Sequence, residues 1–104
     1  MKMAFVKVAS VSGIQPDSVI EVSANGNLYA VCNVGGRVYA LNGICPHNGG
    51  PLGQGQIHGN NVVCPWHAWE WNCVTGENDY DPRRRVATCA VQVSGGDVLL
   101  DVPE

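Results

Sequence analysis

Basic residues are scarce: six Lys and Arg stand against nine Asp and Glu, for a net charge of -3. Nucleic-acid binding needs a dominant basic face, so a DNA or RNA partner is not expected. Three of the six cations are consecutive, Arg83, Arg84 and Arg85, and such a run reads as a solvated loop or a small docking patch. Long apolar runs are also missing. Residues 1–7 have no signal-peptide core and no stretch approaches a membrane span, so a soluble, cytoplasmic protein is expected. Before residue 45 no segment keeps a helical period of apolar positions, which points to an all-β architecture. Internal repeats, linkers, a Ser-His-Asp set and a phosphate-cradling loop are absent too, so nothing announces a substrate site. A chain of 104 residues suits one domain, 1–104, burying roughly two-thirds of its unfolded surface in a single core.

Short apolar runs rich in Val, Tyr and Leu predict strands at 5–8, 19–22, 28–34 and 37–41. Asn25-Gly26 and Gly35-Gly36 separate the last three, and both dipeptides favour the positive φ of tight hairpins, so a three-stranded meander is expected. Residues 57–58 and 62–63 flank Gly59-Asn60 as a further hairpin. Strands at 70–73, 87–93 and 98–102 follow, with a polar loop from the Thr75-Gly76 turn to Arg85. About ten short strands with glycine turns suit a small barrel or sandwich.

Against this plain background stand two Cys-His pairs, Cys45-Pro46-His47 and Cys64-Pro65-Trp66-His67. Two thiolates and two imidazoles suit zinc or an iron–sulfur cluster. Zinc sites usually draw their ligands as Cys-x(2–4)-Cys and His-x(3–5)-His, whereas here each segment offers one Cys and one His, a pattern suited to an asymmetric centre. The 57–63 hairpin should return the chain beside its start and set the two pairs at adjacent loop tips. Gly49, Gly50, Gly53 and Gly55 crowd the first loop, where the lack of a Cβ would let backbone N–H groups approach sulfur. Pro46 and Pro65 restrict the backbone just after each Cys. Of the other candidates, His58 reads as a surface histidine, Cys32 and Cys89 as small core residues, and Cys73 faces an undecided side. Five cysteines are an odd count, and in a reducing compartment the spare ones read as thiols.

Cys-x-His, then residues 48–63, then Cys-x-x-His resembles the ligand pattern of Rieske [2Fe–2S] proteins. Gly49-Gly50-Pro51-Leu52, Gly55, Gly59, Trp71, Thr75-Gly76 and Pro82 agree with it, and the resemblance runs from about residue 6 to 102. It is strongest to the soluble Rieske ferredoxins of ring-hydroxylating oxygenase systems. The resemblance implies the Rieske fold, a small antiparallel β barrel or sandwich with a cluster-binding subdomain of two loops at about 43–82. It implies one [2Fe–2S] cluster, with Cys45 and Cys64 on the inner iron, His47 and His67 on the outer, and Gly49, Gly50, Trp66, Trp69, Trp71 and Pro82 around them. The implied role is that of a monomeric single-electron carrier, not itself an enzyme, that docks transiently with a flavin-containing reductase and a terminal oxygenase. Arg83, Arg84 and Arg85 would help that docking if the Pro82 loop lies beside the cluster.

Two other roles remain: the small subunit of an assimilatory nitrite reductase, which shares this fold, and a structural zinc-binding module. Respiratory Rieske proteins carry a disulfide between the loops and two hydroxyls that bond cluster sulfur. Gly50 and Trp66 replace the cysteines, while Trp69 and Trp71 replace the Ser and Tyr. An indole is bulky and fixed in direction, so the bonds are expected to be missing and the potential to fall near the lower end of the class range of about −150 to +300 mV.

Overall fold

The computed structural model, which describes residues 2–104, turns the chain back on itself at paired residues of positive φ. Asn25 and Gly26 stand at 50° and 86°, Gly35 and Gly36 at 59° and 92°. Successive positive-φ residues twist a turn to match its flanking strands, so β2 (Ser18–Ala24), β3 (Asn27–Val34) and β4 (Arg37–Asn42) form the expected meander. Before them lies β1 (Met3–Ser10). After them come β5 (Gln56–His58), β6 (Asn61–Val63), β7 (Glu70–Asn72), β8 (Thr88–Cys89), β9 (Val91–Ser94) and β10 (Asp97–Pro103). The sheets run β1-β10-β9, β2-β3-β4-β8 and β5-β6-β7, with antiparallel pairing throughout. Among the described residues the helical segments are two single 3-10 turns, Val11–Gly13 and Leu52–Gln54. The fold is all-β.

Residues 87–93 are not the single strand their apolar pattern predicts. The run breaks at Ala90, where the chain changes sheets: β8 pairs with β4 and β9 with β10. An extended segment carries the same pattern whichever neighbour it pairs with, so the switch leaves no local mark.

Nor is there one core. The apolar side chains form two clusters on opposite faces of the central sheet, because alternation along β3 sends Tyr29 and Val31 one way and Ala30 and Cys32 the other. The first group, with Ile14, Val98, Leu100 and Val102, fills the space beneath the β1-β10-β9 sheet. The second holds Leu41, Leu52, Val62, Trp71 and Val86 together with Cys32, Cys45, Cys64 and Cys73. A short chain manages two clusters because the same strands floor both. Full burial of a side chain such as Leu52 or Leu100 contributes about 1.5–3 kcal/mol, so the β5-β6-β7 sheet and the flanking loops are held to the central sheet mainly by this second group.

Candidate metal centre

Two loops of one design stand on the second cluster. In the first, the Cys45 N–H donates to the Gly50 carbonyl at 2.8 Å while the Cys45 carbonyl accepts from Gly49 N–H at 2.8 Å. In the second, the Cys64 N–H donates to the Trp69 carbonyl at 2.8 Å and the Cys64 carbonyl accepts from Ala68 N–H at 3.1 Å. Each pair of bonds pins a cysteine at the base of its loop and lifts a histidine to the tip. The β5–β6 hairpin, in the register Gln56↔Val63, carries one loop to the other as the spacing predicts.

The loops are in direct contact. A Cβ on Gly50 would come within 2.7 Å of Cys64 Sγ and 3.1 Å of Trp66 Cγ, so only glycine lets the first loop lie on the second. The other three glycines do different work. Gly49 is a turn residue at φ +81°, Gly53 presses on the Glu21 backbone, and Gly55 faces the Val63 carbonyl. Of the four, Gly50 is the one where a Cβ would meet a cysteine sulfur, and its own N–H donates to Asn48 Oδ1 at 3.2 Å.

Cys45 and Cys64 are each 1% exposed. Burial pushes the Cys64 thiol up, the Trp66 backbone N–H opposes this, and the neighbouring Cys45 thiol raises it further. Bound metal must therefore displace a proton from a dry site. The imidazoles lie outward, His47 half-buried and His67 exposed, with ring centroids 5.6 Å apart. His47 stacks on Trp69 at 3.7 Å and 6°, and its Nδ1 is buried without a partner. His67 has φ 113° and Ala68 φ 59°, a strained tip of roughly 1–3 kcal/mol per residue that the Cys64 hydrogen bonds hold in place.

This geometry fits a dinuclear cluster. His47 Nδ1 is a buried ring nitrogen without a partner two residues from a buried thiol, where buried polar atoms are otherwise paired. The two thiols are buried and the two imidazoles lie outward, a split between sulfur and nitrogen donors that suits a two-iron centre with thiolates on one iron and imidazoles on the other.

Asn48 joins the loops. Its Nδ2 donates to His67 Nδ1 at 2.8 Å, while its Oδ1 accepts from Gly50 N–H at 3.2 Å and lies 3.9 Å from Cys64 Sγ. A ring lone pair serves one partner, so iron at His67 Nδ1 would displace that amide. The only hint in the sequence is an amide directly after His47.

The polar loop after β7 reaches Trp69, the ring that stacks on His47. Asn78, 2% exposed, organises it: Nδ2 donates to the Glu70 carbonyl, and Oδ1 accepts from Tyr80 and Asp81 N–H, each at 3.0 Å. Tyr80 then meets Trp69 edge-on at 6.0 Å, and the Arg84 guanidinium sits 5.6 Å over the same ring. Pro82 itself is exposed and lines a groove with Asn72, Glu77 and Asp79. The three arginines are paired: Arg83 to Asp81 at 3.0 Å, Arg84 to Asp81 at 3.9 Å and Arg85 to Glu77 at 3.2 Å. The Arg83 guanidinium holds the Asp81 carboxyl below its ordinary value, with its backbone N–H helping.

The remaining candidates separate cleanly. His58 is exposed and bonds Glu70 Oε1 at 3.1 Å. Cys73 faces inward beside Cys32, whose buried thiol is raised by their mutual hydrogen bond. Cys89 is half-buried at the edge of the cluster that holds Tyr29 and Val31, and its Sγ donates to the Asp101 carbonyl at 3.3 Å. The three tryptophans diverge: Trp71 is wholly buried, Trp69 covers His47, and Trp66 is 51% exposed.

The family model for the Rieske [2Fe-2S] domain matches residues 4–92. The 3-phenylpropionate/cinnamic acid dioxygenase ferredoxin subunit of Escherichia coli (strain K12) is 36% identical over 77 residues, 72% of this chain and 73% of that one. The longer oxygenase component of 3-ketosteroid-9-alpha-monooxygenase from Rhodococcus rhodochrous matches over 46 residues, 12% of its length. Among solved structures, a chain in the complex of reduced oxygenase and oxidized ferredoxin of carbazole 1,9a-dioxygenase superposes with a TM-score of 0.85 at 28% identity, covering 93% of this chain and 92% of that one. A putative NADH-dependent nitrite reductase small subunit from Mycobacterium tuberculosis shares the fold, with a TM-score of 0.88 at 17% identity over 100% and 99% of the two chains. With its paired loops and matching donor set, the chain belongs to the Rieske [2Fe–2S] domain family, whose members bind one [2Fe–2S] cluster.

Proposed function

We propose that this protein is a soluble single-electron carrier that receives electrons from a flavin-containing reductase and delivers them to a terminal oxygenase. It is an electron-transfer component, not itself an enzyme. Cys45 and Cys64 hold the inner iron, and His47 and His67 the outer one. The bound cluster supplies a one-electron couple, neutral when oxidised with two thiolates and two neutral imidazoles, and singly negative when reduced.

The observation that carries this reading is the split between base and tip: both candidate thiolates are 1% exposed, while the imidazole rings stand at the surface. Cys45 and Cys64 keep water from the sulfurs, and the ring edges of His47 and His67 meet whatever docks there. Trp69 shields one face of His47, and Arg84 lies over Trp69, so a partner covering the tips also touches the 73–86 loop. The named relative and the matched complex, a dioxygenase ferredoxin subunit and an oxygenase–ferredoxin pair, support this partner class. A carrier that must dock and leave works as a cytoplasmic monomer, and among the described residues no helix is long and apolar enough to cross a membrane.

Metal and sulfide analysis with EPR tests the cofactor. Two irons and two labile sulfides per chain, with a rhombic signal only after reduction, are expected. Stoichiometric zinc without sulfide overturns the ligand assignment. Coupled turnover then tests the role: the reduced protein should transfer its electron to a ring-hydroxylating oxygenase, and transfer confined to a sirohaem reductase would assign it instead to nitrite reduction.

A further inference from the structure

Trp71 carries a polar atom that nothing in the fold satisfies. Its side chain is 0% exposed, and the indole Nε1–H meets no acceptor among the described residues. An indole nitrogen can only donate, and buried donors without partners are rare in folded proteins.

Its surroundings narrow what the acceptor is. In β7, Trp71 sits opposite Val62 of β6, and the two side chains enter the cluster of residues that also contains Cys45 and Cys64. The Trp71 ring lies 6.2 Å from Trp69, which stacks on His47. The other buried nitrogen without a partner is His47 Nδ1. One orphan thus offers a lone pair, two residues from Cys45, and the other a proton, from a ring in the buried cluster that holds Cys45 and Cys64. His47 would hold iron through the first, and the Trp71 N–H would suit electron-rich sulfur.

We propose that Trp71 is a positioning residue whose indole N–H donates a hydrogen bond to sulfur of the bound cluster or of its thiolate ligands. The proposal rests on the ligand assignment above. It departs from the expectation that the bulk of an indole excludes such a bond, on the ground that the whole ring is buried in the cluster that holds Cys45 and Cys64. The reduced cluster carries one more negative charge, shared onto its sulfurs, so the bond is stronger in that state and raises the potential.

Trp71→Phe retains the ring packing and removes the donor. Iron and sulfide content should be unchanged, and the midpoint should fall by the equivalent of about a tenfold change in reduced fraction, ~59 mV for a one-electron couple. Pulsed EPR of reduced wild-type protein with heavy-nitrogen indole should show a weak nitrogen coupling. That coupling should survive Trp66→Phe and Trp69→Phe and disappear in Trp71→Phe. An unchanged midpoint with no indole coupling in the wild type overturns the proposal and leaves the N–H to a buried water. If Trp71→Phe does not retain the cluster, the wild-type coupling and its survival in the other two variants decide alone. Failure of the ligand assignment looks different, since the wild-type protein would then lack the [2Fe–2S] signal altogether.

Discussion

At the scale of single residues, chemistry and location divide the histidines and cysteines into two groups. Cys45 and Cys64 share one buried core, while His58 is tied to Glu70 on the outer face of the small β5-β6-β7 sheet. A serine hydroxyl is a poor substitute for thiolate toward iron. Cys45→Ser or Cys64→Ser should therefore abolish the visible absorbance and the EPR signal. His58→Ala should retain both, with a stability change within about 0.5 kcal/mol, as befits an exposed substitution. A spectrum lost with His58→Ala would show that the ligand set is misassigned.

At the scale of elements, the 73–86 loop couples charge to the histidine tips. Asp81 accepts from Arg83 on both carboxylate oxygens and has Arg84 beside Oδ2, and Arg84 in turn covers Trp69. Because Arg83 lowers the Asp81 value in the folded state, the pairing stabilises the loop at every pH above the ordinary carboxylate range. It is lost as pH falls through the lowered folded value. Acidification should then release Arg84 and change Trp69 emission, with the same change produced by Asp81→Asn at neutral pH. The pairs are solvent-exposed, so raising salt should reduce the difference between wild type and variant. An emission profile identical in Asp81→Asn across that range would show that Arg84 is held by the ring alone.

At the scale of the whole molecule, the central sheet separates stability from the cofactor. Leu100 belongs to the cluster beneath β1-β10-β9, and Leu52 to the one containing the cysteines. Either Leu→Ala change should cost about 2–5 kcal/mol. The consequences should differ: Leu100→Ala should lower the melting temperature of a protein with an unaltered visible spectrum, whereas Leu52→Ala should also speed cluster loss. Thermal melts followed in parallel by circular dichroism and visible absorbance distinguish the two. Equal cluster lability in both variants would mean that the two groups act as a single core.

Donor chemistry and turn geometry are local, and the sequence determined them. Cys45, His47, Cys64 and His67 stand out as candidate ligands because thiolate and imidazole are the donors of this class of iron–sulfur centre, and Asn25-Gly26 and Gly35-Gly36 as turns because few residues accept positive φ. The all-β class follows from short apolar runs between those turns. Contacts between distant residues were decided only by the tertiary structure. Residue 90 changes sheets, Asn48 reaches His67, Gly50 seats on Cys64 Sγ, and Arg84 covers Trp69. Cys73 turns inward beside Cys32 because the close of β7 points it there, a direction that alternation with Trp71 leaves open. The unpaired Trp71 N–H belongs to the same class: whether a buried donor finds an acceptor depends on every chain segment that packs around it, and no local pattern encodes that sum.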